Sequence, residues 1–449
     1  MLTVAGRGRA GSAGVSAERP RADGRLCAHD RGMAIEYGTP ARYLPAPRDN
    51  ATGDLTRNAL RAPDAPAFAR WLGGTWRTLT WADVTELATS LAAGLVAAGV
   101  APGDRVAVMA GTGVEWVRAD YAIWLAGAVS VPIPANATHE VAEWILRDSG
   151  ATAAFTGDDR QYALVEAAGV RRIWSTAAGG VDDLAAAREV ERRRQALTAG
   201  TLATIVYPPG GRGCRLSHGN LTAAVHAIAT AEAVFGWDTA LLVTSELHEI
   251  HTRVVQLTAV HGGALTAHAT DPARLGDALL TFRPTALAAT QETLARFDPG
   301  TARTTVDYGR ALETGRVPLA LRVRHGVTPK PALPLGGRVT HVLTGGPLPP
   351  DLAWFLRGSG LTVLDGYART ETTGAVTCNL PGATRSTTAG KPLPGCRVRV
   401  TRDGEVLVRG ATVFQGLWGA PTPALDEDGW FHTGDHGHLA DGYLTLTAP

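Results

Sequence analysis

Residues 207–220 read YPPGGRGCRLSHGN. Gly210, Gly211 and Gly213 would let backbone wrap an oxyanion, Arg212 or Arg215 could add charge, and Ser217-His218-Gly219-Asn220 opens a helix-like run whose first amides would suit a phosphate. Pro208 and Pro209 remove two N–H donors from the same loop. The stretch therefore reads as a phosphate loop, a broken one or only a turn, with Ser217 better suited to a helix N-cap than to a nucleophile. A second chemical stretch spans residues 342–374, VLTGGPLPPDLAWFLRGSGLTVLDGYARTETTG. A strand runs into Gly345-Gly346-Pro347, a helix follows, and a further strand ends in the polar run Thr370-Glu371-Thr372-Thr373. Ligands of open α/β sheets sit at the carboxyl ends of strands. There Gly345 and Gly346 allow close backbone approach, Tyr367 offers a ring for stacking and Glu371 a hard oxygen for Mg²⁺. The alternative is a strand-end turn with a solvated glutamate.

Other candidates carry less. His248 and His251 lie in TSELHEIHTR, but their spacing is not the H-E-x-x-H of a zinc site. Cys27, Cys214, Cys378 and Cys396 form no C-x-x-C pair and read as reduced thiols in a cytoplasmic protein. Gly6, Gly8 and Gly11 match G-x-G-x-x-G, but only a few residues precede them, and Pro20 and Gly24 break the run on their C-terminal side. Residues 1–32, rich in Gly, Ala and Arg, read as a disordered tail.

The elements that must position these residues alternate. Residues 81–99 have apolar positions at helical spacing and close on Gly99. RVAVMAG, VSVPIP and ATAAFTG read as buried strands, with helices at 114–128 and in VAEWILRDSG between them, and a charged helix at 184–197. This βαβ rhythm predicts parallel, doubly wound sheets. RVRVTRDGEVLVRG is a hairpin around Asp403-Gly404, so the C-terminal portion is mostly β. The expected organisation is α/β: a tail at 1–32, one α/β subdomain at 33–200, a second at 201–370 and a mostly β subdomain at 371–449. With 43 basic and 42 acidic residues the net charge is +1, which argues against a nucleic-acid partner. No apolar stretch reaches the ~18 residues of a membrane span, and peripheral membrane contact stays open.

DGYARTETTG resembles the Y-G-x-T-E motif of the adenylate-forming (AMP-binding) superfamily, and TGGPLPP resembles its S-G-G-A-P-L. GEVLVRG and GWFHTGDHGHLADGYLTLT are similar to later motifs in the same order, while YAIWLAGAVSVPI and EWILRDSGA look like bacterial long-chain fatty acid–CoA ligases. The likeness covers roughly Met33 to Thr447. It implies the large N-terminal domain of that fold: two doubly wound subdomains plus a small distorted β-barrel-like one. It implies ATP and Mg²⁺ as cofactors, CoA as co-substrate and a fatty acid or other carboxylate as substrate. Gly345, Gly346 and Pro347 would flank adenine, and Asp365, Gly366 and Tyr367 would make edge and stacking contacts. Thr370 would approach the α-phosphate, Glu371 would hold Mg²⁺, and Asp435 would bind ribose.

The chain departs from the pattern at several places. Where the family has Y-T-S-G-T-T-G-x-P-K-G, the loop holding Gly210, Gly211 and Arg212 is shorter and lacks its Thr, Ser and Lys, the mark of a damaged phosphate loop. Ala368 replaces a common Gly, and the tunnel segments around TSELHEIHTR and TQETLARF differ. The only lysines are Lys330 and Lys391, neither where the mobile C-terminal domain carries its lysine, and that domain is expected to be absent. Two functional readings remain open: an impaired ligase, and a non-catalytic nucleotide- or acyl-binding protein of ligase ancestry.

Overall fold

The computed structural model describes residues 35–178, 184–297, 302–327, 333–420 and 425–447. The tail with Gly6, Gly8 and Gly11, together with Cys27 and Lys330, lies outside them.

Local signals in the sequence place most elements. Thr80 and Asp83 form a reciprocal capping box that starts Trp81–Ala97. Thr138 caps His139–Ser149, which ends on Gly150 in the left-handed region at φ 62°. Ser217 accepts the Asn220 amide and starts His218–Ala231, as its N-cap reading expects.

Two sheets are mostly parallel, each with one antiparallel pair at an edge. One has six strands in the order Arg172–Ser175, Ala153–Thr156, Arg105–Met109, Val129–Ile133, Leu202–Val206 and Cys214–Ser217, with only the last antiparallel to its neighbour. The other has seven, in the order Thr362–Leu364, His341–Leu343, Ala286–Ala288, Ala240–Val243, Leu265–His268, Pro66–Leu72 and Thr75–Thr80. A five-stranded antiparallel sheet forms a half-barrel from Ile35–Gly38, Cys396–Val400, Glu405–Gly410, Phe431–Ala440 and Tyr443–Leu446. The hairpin at Asp403-Gly404 is as expected. The α/β class, with two doubly wound units and a small barrel-like one, is therefore the fold of this chain.

The sheets do not divide along the chain at residue 200, however. Pro66–Leu72 and Thr75–Thr80 pair into the second sheet, and Leu202–Val206 and Cys214–Ser217 complete the first. Ile35–Gly38 joins the half-barrel. The reason is pairing between distant segments, which a linear partition cannot express.

One buried ion pair ties the layers together. Arg253, 1% exposed, donates from Nε to Asp120 at 2.8 Å and from Nη2 to the other carboxylate oxygen, and its Nη1 reaches Thr204 at 2.9 Å. Its guanidinium lies 5.3 Å from the Trp116 ring and 4.9 Å from that of Trp124. The helix Ile250–Gly262 is thereby locked to the helix Val114–Leu125 and to the first sheet. That anchored helix also carries residues that line a cavity.

Candidate functional site

Three adjacent parallel strands of the second sheet, Ala240–Val243, Ala286–Ala288 and His341–Leu343, end side by side. Their carboxyl-end continuations supply Ser245, Thr290, Gln291, Thr344, Gly345 and Gly346 to a cavity of about 300 Å³. The first turns of Ile250–Gly262 add His251, Thr252 and Val255, and the hairpin Gly366–Arg369/Gly374–Cys378 adds Ala368, Arg369, Thr370 and Gly374. This is the place where α/β sheets bind ligands. A narrow apolar extension of about 30 Å³ shares His251, Gly345 and Ala368 with it and is walled by Ile228, Leu364 and Leu393.

The structure brings Gly345, Gly346 and Thr370 together on this cavity, with Gly366 on its extension. The two glycines differ. A methyl at Gly346 would meet nothing within 4 Å, whereas one at Gly345 would stand 2.9 Å from the His251 ring. Gly345 thus makes room for a side chain and Gly346 leaves open space. Pro347 is exposed beside the turn.

Asp365 is fully buried. Its carboxylate accepts Arg357 at 2.6 Å and the Leu348 amide at 3.2 Å, and burial pushes its pKa up against the Arg357 charge. The side chain braces the glycine turn from below rather than facing the cavity. Gly366 is required by close pairing, since a Cβ there would lie 1.9 Å from the Thr377 carbonyl oxygen. Tyr367 is 5% exposed and donates its hydroxyl to Asp435. Thr372 and Thr373 are buried and bonded to the hairpin and to Thr412. Of the polar run, Thr370 is the residue that lines the cavity.

Glu371 and Asp435 share one partner. Arg369 donates to Glu371 from Nε at 3.2 Å and Nη2 at 3.3 Å, and to Asp435 from Nη1 at 2.7 Å. Burial disfavours its charge, but these hydrogen bonds outweigh burial and raise its pKa above the ordinary value. Among the described residues no group of three or more His, Cys, Asp or Glu side chains converges on a cation position. With Glu371 held at two points by a guanidinium, this residue set does not fit Mg²⁺ at Glu371.

The opening loop sits elsewhere. Gly211 donates to the Pro208 carbonyl at 2.9 Å to close a turn, with Gly210 at φ 67°. Arg212 reaches the Trp418 carbonyl at 3.2 Å, and Gly213 accepts the Trp418 amide at 2.7 Å. A Cβ at Gly211 would collide with Pro208, and one at Gly213 with Ile205 and Tyr207. Gly210, Gly211 and Arg212 do not line the cavity; packing and turn geometry account for this loop.

Sequence reasoning left His248 and His251 open, and the structure selects His251. Both of its ring nitrogens lack a partner, and burial pushes its pKa down to about 4. Ser245, Thr290 and Gln291 were missed, although their positions just past short apolar strands carried the same signal as Gly345. Arg369 was missed inside a quoted motif, because a variable position gives no hint of its role. Lys391 lies 4.6 Å over the Tyr443 ring within the half-barrel region. A larger, open hollow of about 630 Å³ near Arg357, Arg385 and Tyr443 has its charges paired: Arg357 with Asp365 and Glu313, Arg385 with Asp441.

Two doubly wound sheets, a half-barrel and a strand-end cavity closed by a Tyr-x-x-Thr-Glu hairpin define the N-terminal domain of adenylate-forming enzymes. The chain belongs to the AMP-binding enzyme family, whose profile matches residues 55–418. It is 33% identical, over 92% of its length and 76% of the other protein, to the long-chain-fatty-acid–CoA ligase FadD15 of Mycobacterium bovis. Its fold matches the N-terminal domain of FACL13 from Mycobacterium tuberculosis with a TM-score of 0.70, at 22% identity, over 89% of this chain and 100% of that one. It also matches O-succinylbenzoate coenzyme A synthetase from Bacillus subtilis in complex with AMP, with a TM-score of 0.69 at 20% identity, over 88% and 97% of the two chains. No helix among the described residues is long and apolar enough to cross a membrane.

Proposed function

We propose that this protein activates a fatty acid with ATP as an acyl-adenylate and transfers the acyl group to CoA, as a long-chain fatty acid–CoA ligase. The observation that carries the reading is the cavity at three adjacent strand ends, open at Gly346 and walled by Thr370, in a chain 33% identical to such a ligase. In this reading Gly345, Gly346 and Pro347 border the adenine, with Gly366 and Tyr367 beneath it. Asp435 meets the ribose and the Thr370 hydroxyl the α-phosphate, while the apolar extension past His251 and Ala368 takes the start of the acyl chain. A cytoplasmic setting belongs to the same proposal and is supported by the unpaired thiols of Cys214, Cys378 and Cys396.

A second reading, a nucleotide- or acyl-binding protein without catalysis, is favoured by the loop at 207–213, which is engaged with Trp418. Each charged hydrogen bond missing from a phosphate loop is worth about 1.5–3 kcal/mol, and each ~1.4 kcal/mol is a factor of ten in rate. ATP–pyrophosphate exchange across fatty acids of several lengths, run beside calorimetric titration with AMP, separates the two. Slow, acid-dependent exchange is the expected result. AMP binding without exchange would select the second reading, and absence of both would remove the nucleotide site.

A further inference from the structure

We propose that Arg369 is the resident cation of the cavity. It occupies the carboxylate of Glu371, so the wild-type protein binds its ligand without a divalent ion at that residue. The cavity is taken as a nucleotide site, which rests on the proposed function, but the side chains concerned are already in contact without any ligand.

Arg369 grips Glu371 side-on through two N–H groups, at 3.2 and 3.3 Å, and Asp435 through a third at 2.7 Å. Such forked pairs combine charge with fixed geometry. The acceptors are themselves held. The Glu371 carbonyl receives the Phe414 amide at 2.8 Å, the Asp435 carboxylate also receives the Tyr367 hydroxyl, and the Asp435 amide donates to the Thr433 hydroxyl at 3.1 Å. The guanidinium is 28% exposed and Glu371 14%, so water weakens the pair only in part. A divalent ion reaching Glu371 would have to displace two hydrogen bonds and then sit against a guanidinium that never loses its proton. Arg369 spends three of its five N–H groups on the two acids. It also lines the cavity with Thr370, so two N–H groups are left for an oxyanion there.

Removing the guanidinium takes the cluster from one net negative charge to two and leaves two carboxylates that had met on one cation. Carboxylate oxygens are ligands that hard divalent cations prefer. Deleting Arg369 should therefore create metal binding that the wild type lacks.

The test uses Mn²⁺ alone, followed by the electron paramagnetic resonance of the free ion, with the full chain. Wild type and Glu371→Gln should behave alike. Arg369→Met should gain a site at least tenfold tighter, and Arg369→Met/Glu371→Gln should lose it. Wild-type Mn²⁺ binding that disappears in Glu371→Gln would overturn the proposal, and that comparison stands even if Arg369→Met does not fold. A folded Arg369→Met that gains no site would also overturn it. In parallel, AMP should bind the wild type with the same affinity, within twofold, in Mg²⁺ and in EDTA; a tenfold dependence on Mg²⁺ would count against Arg369. Failure of AMP to bind in either buffer would sink the nucleotide reading instead, while the Mn²⁺ titrations would still decide the cation.

Discussion

Replacing Arg253 by methionine should destabilise the protein by about 4 kcal/mol. The side chain is 1% exposed, and its two bonds to Asp120, a carboxylate 5% exposed, leave no route for water to take its place. Removing one partner of a buried pair costs roughly 3–5 kcal/mol, because the other charge stays buried and uncompensated. The lost contacts with Trp116 and Trp124 add to this, and the methionine's own packing offsets part of it. With an unfolding entropy of roughly 2.1 cal/mol/K per residue, a folded unit of about 400 residues would lose roughly 5 °C in Tm. The companion variant Asp120→Leu/Arg253→Met removes both charges and should recover most of the loss, since an apolar replacement of a whole buried pair is often close to neutral. Thermal unfolding and urea midpoints of the two variants decide the matter. A single variant costing under about 1 kcal/mol, or a double variant worse than the single, would refute the assignment of this pair as a buried, mutually compensating anchor. Because Arg253 follows Thr252 directly and stands two residues from His251 on the same helix, AMP affinity should fall in the single variant as well.

Three other expectations are open to measurement. AMP and ATP should bind within about threefold of each other, a difference of ~0.65 kcal/mol, because Arg212 and Gly213 are engaged with Trp418; calorimetry showing ATP tenfold tighter would mean that the loop reaches the phosphates. Acid should destabilise the fold between pH 6.5 and 4: burial holds His251 at about 4 and, with repulsion from Arg253, His218 at about 3. The unfolded chain therefore takes up these protons first, and each site loses about 1.4 kcal/mol per pH unit as pH falls through that window. His251→Phe should flatten the Tm-against-pH profile, and an unchanged slope would count against His251. Gly345→Ala should cost about 1–3 kcal/mol, since its methyl would lie 2.9 Å from the His251 ring. Gly346→Ala, facing open space, should leave stability within about 0.5 kcal/mol and weaken AMP binding; equal stability losses in the two variants would be evidence against this geometry.

The signals that could be read from sequence were local ones. The Thr80–Asp83 box, the Gly150 cap and the Asp403-Gly404 hairpin each depend on residues within a few positions of one another, and the hairpin, the one of the three read from the sequence, stands where expected. Sheet membership did not follow in the same way. Pro66–Leu72 pairs with Leu265–His268, some two hundred positions later, and nothing in an apolar run names its distant neighbour. The site shows the same division. Gly345, Gly346 and Thr370 were legible because a strand end, a glycine turn and a polar run are local patterns. The fate of Asp365 was not, because it depends on Arg357 in the preceding helix and on Leu348 across the turn.

That division explains why a motif can persist while its side chains change partners. Tyr367, Glu371 and Asp435 keep the residue types that the family resemblance requires, yet in this chain they converge on Arg369 and on one another. A ribose that takes Asp435 must compete with a tyrosine hydroxyl and a guanidinium already in place. Breaking a hydrogen bond to a charged group costs about 1.5–3 kcal/mol before any new contact forms. Thr370 and the open face at Gly346 carry no such internal commitment in the bonds described, so ligand binding gains most from that side of the cavity. Affinity here is then set less by which motif residues are present than by what they must release. The position that decides this, Arg369, is the one that the motif leaves variable.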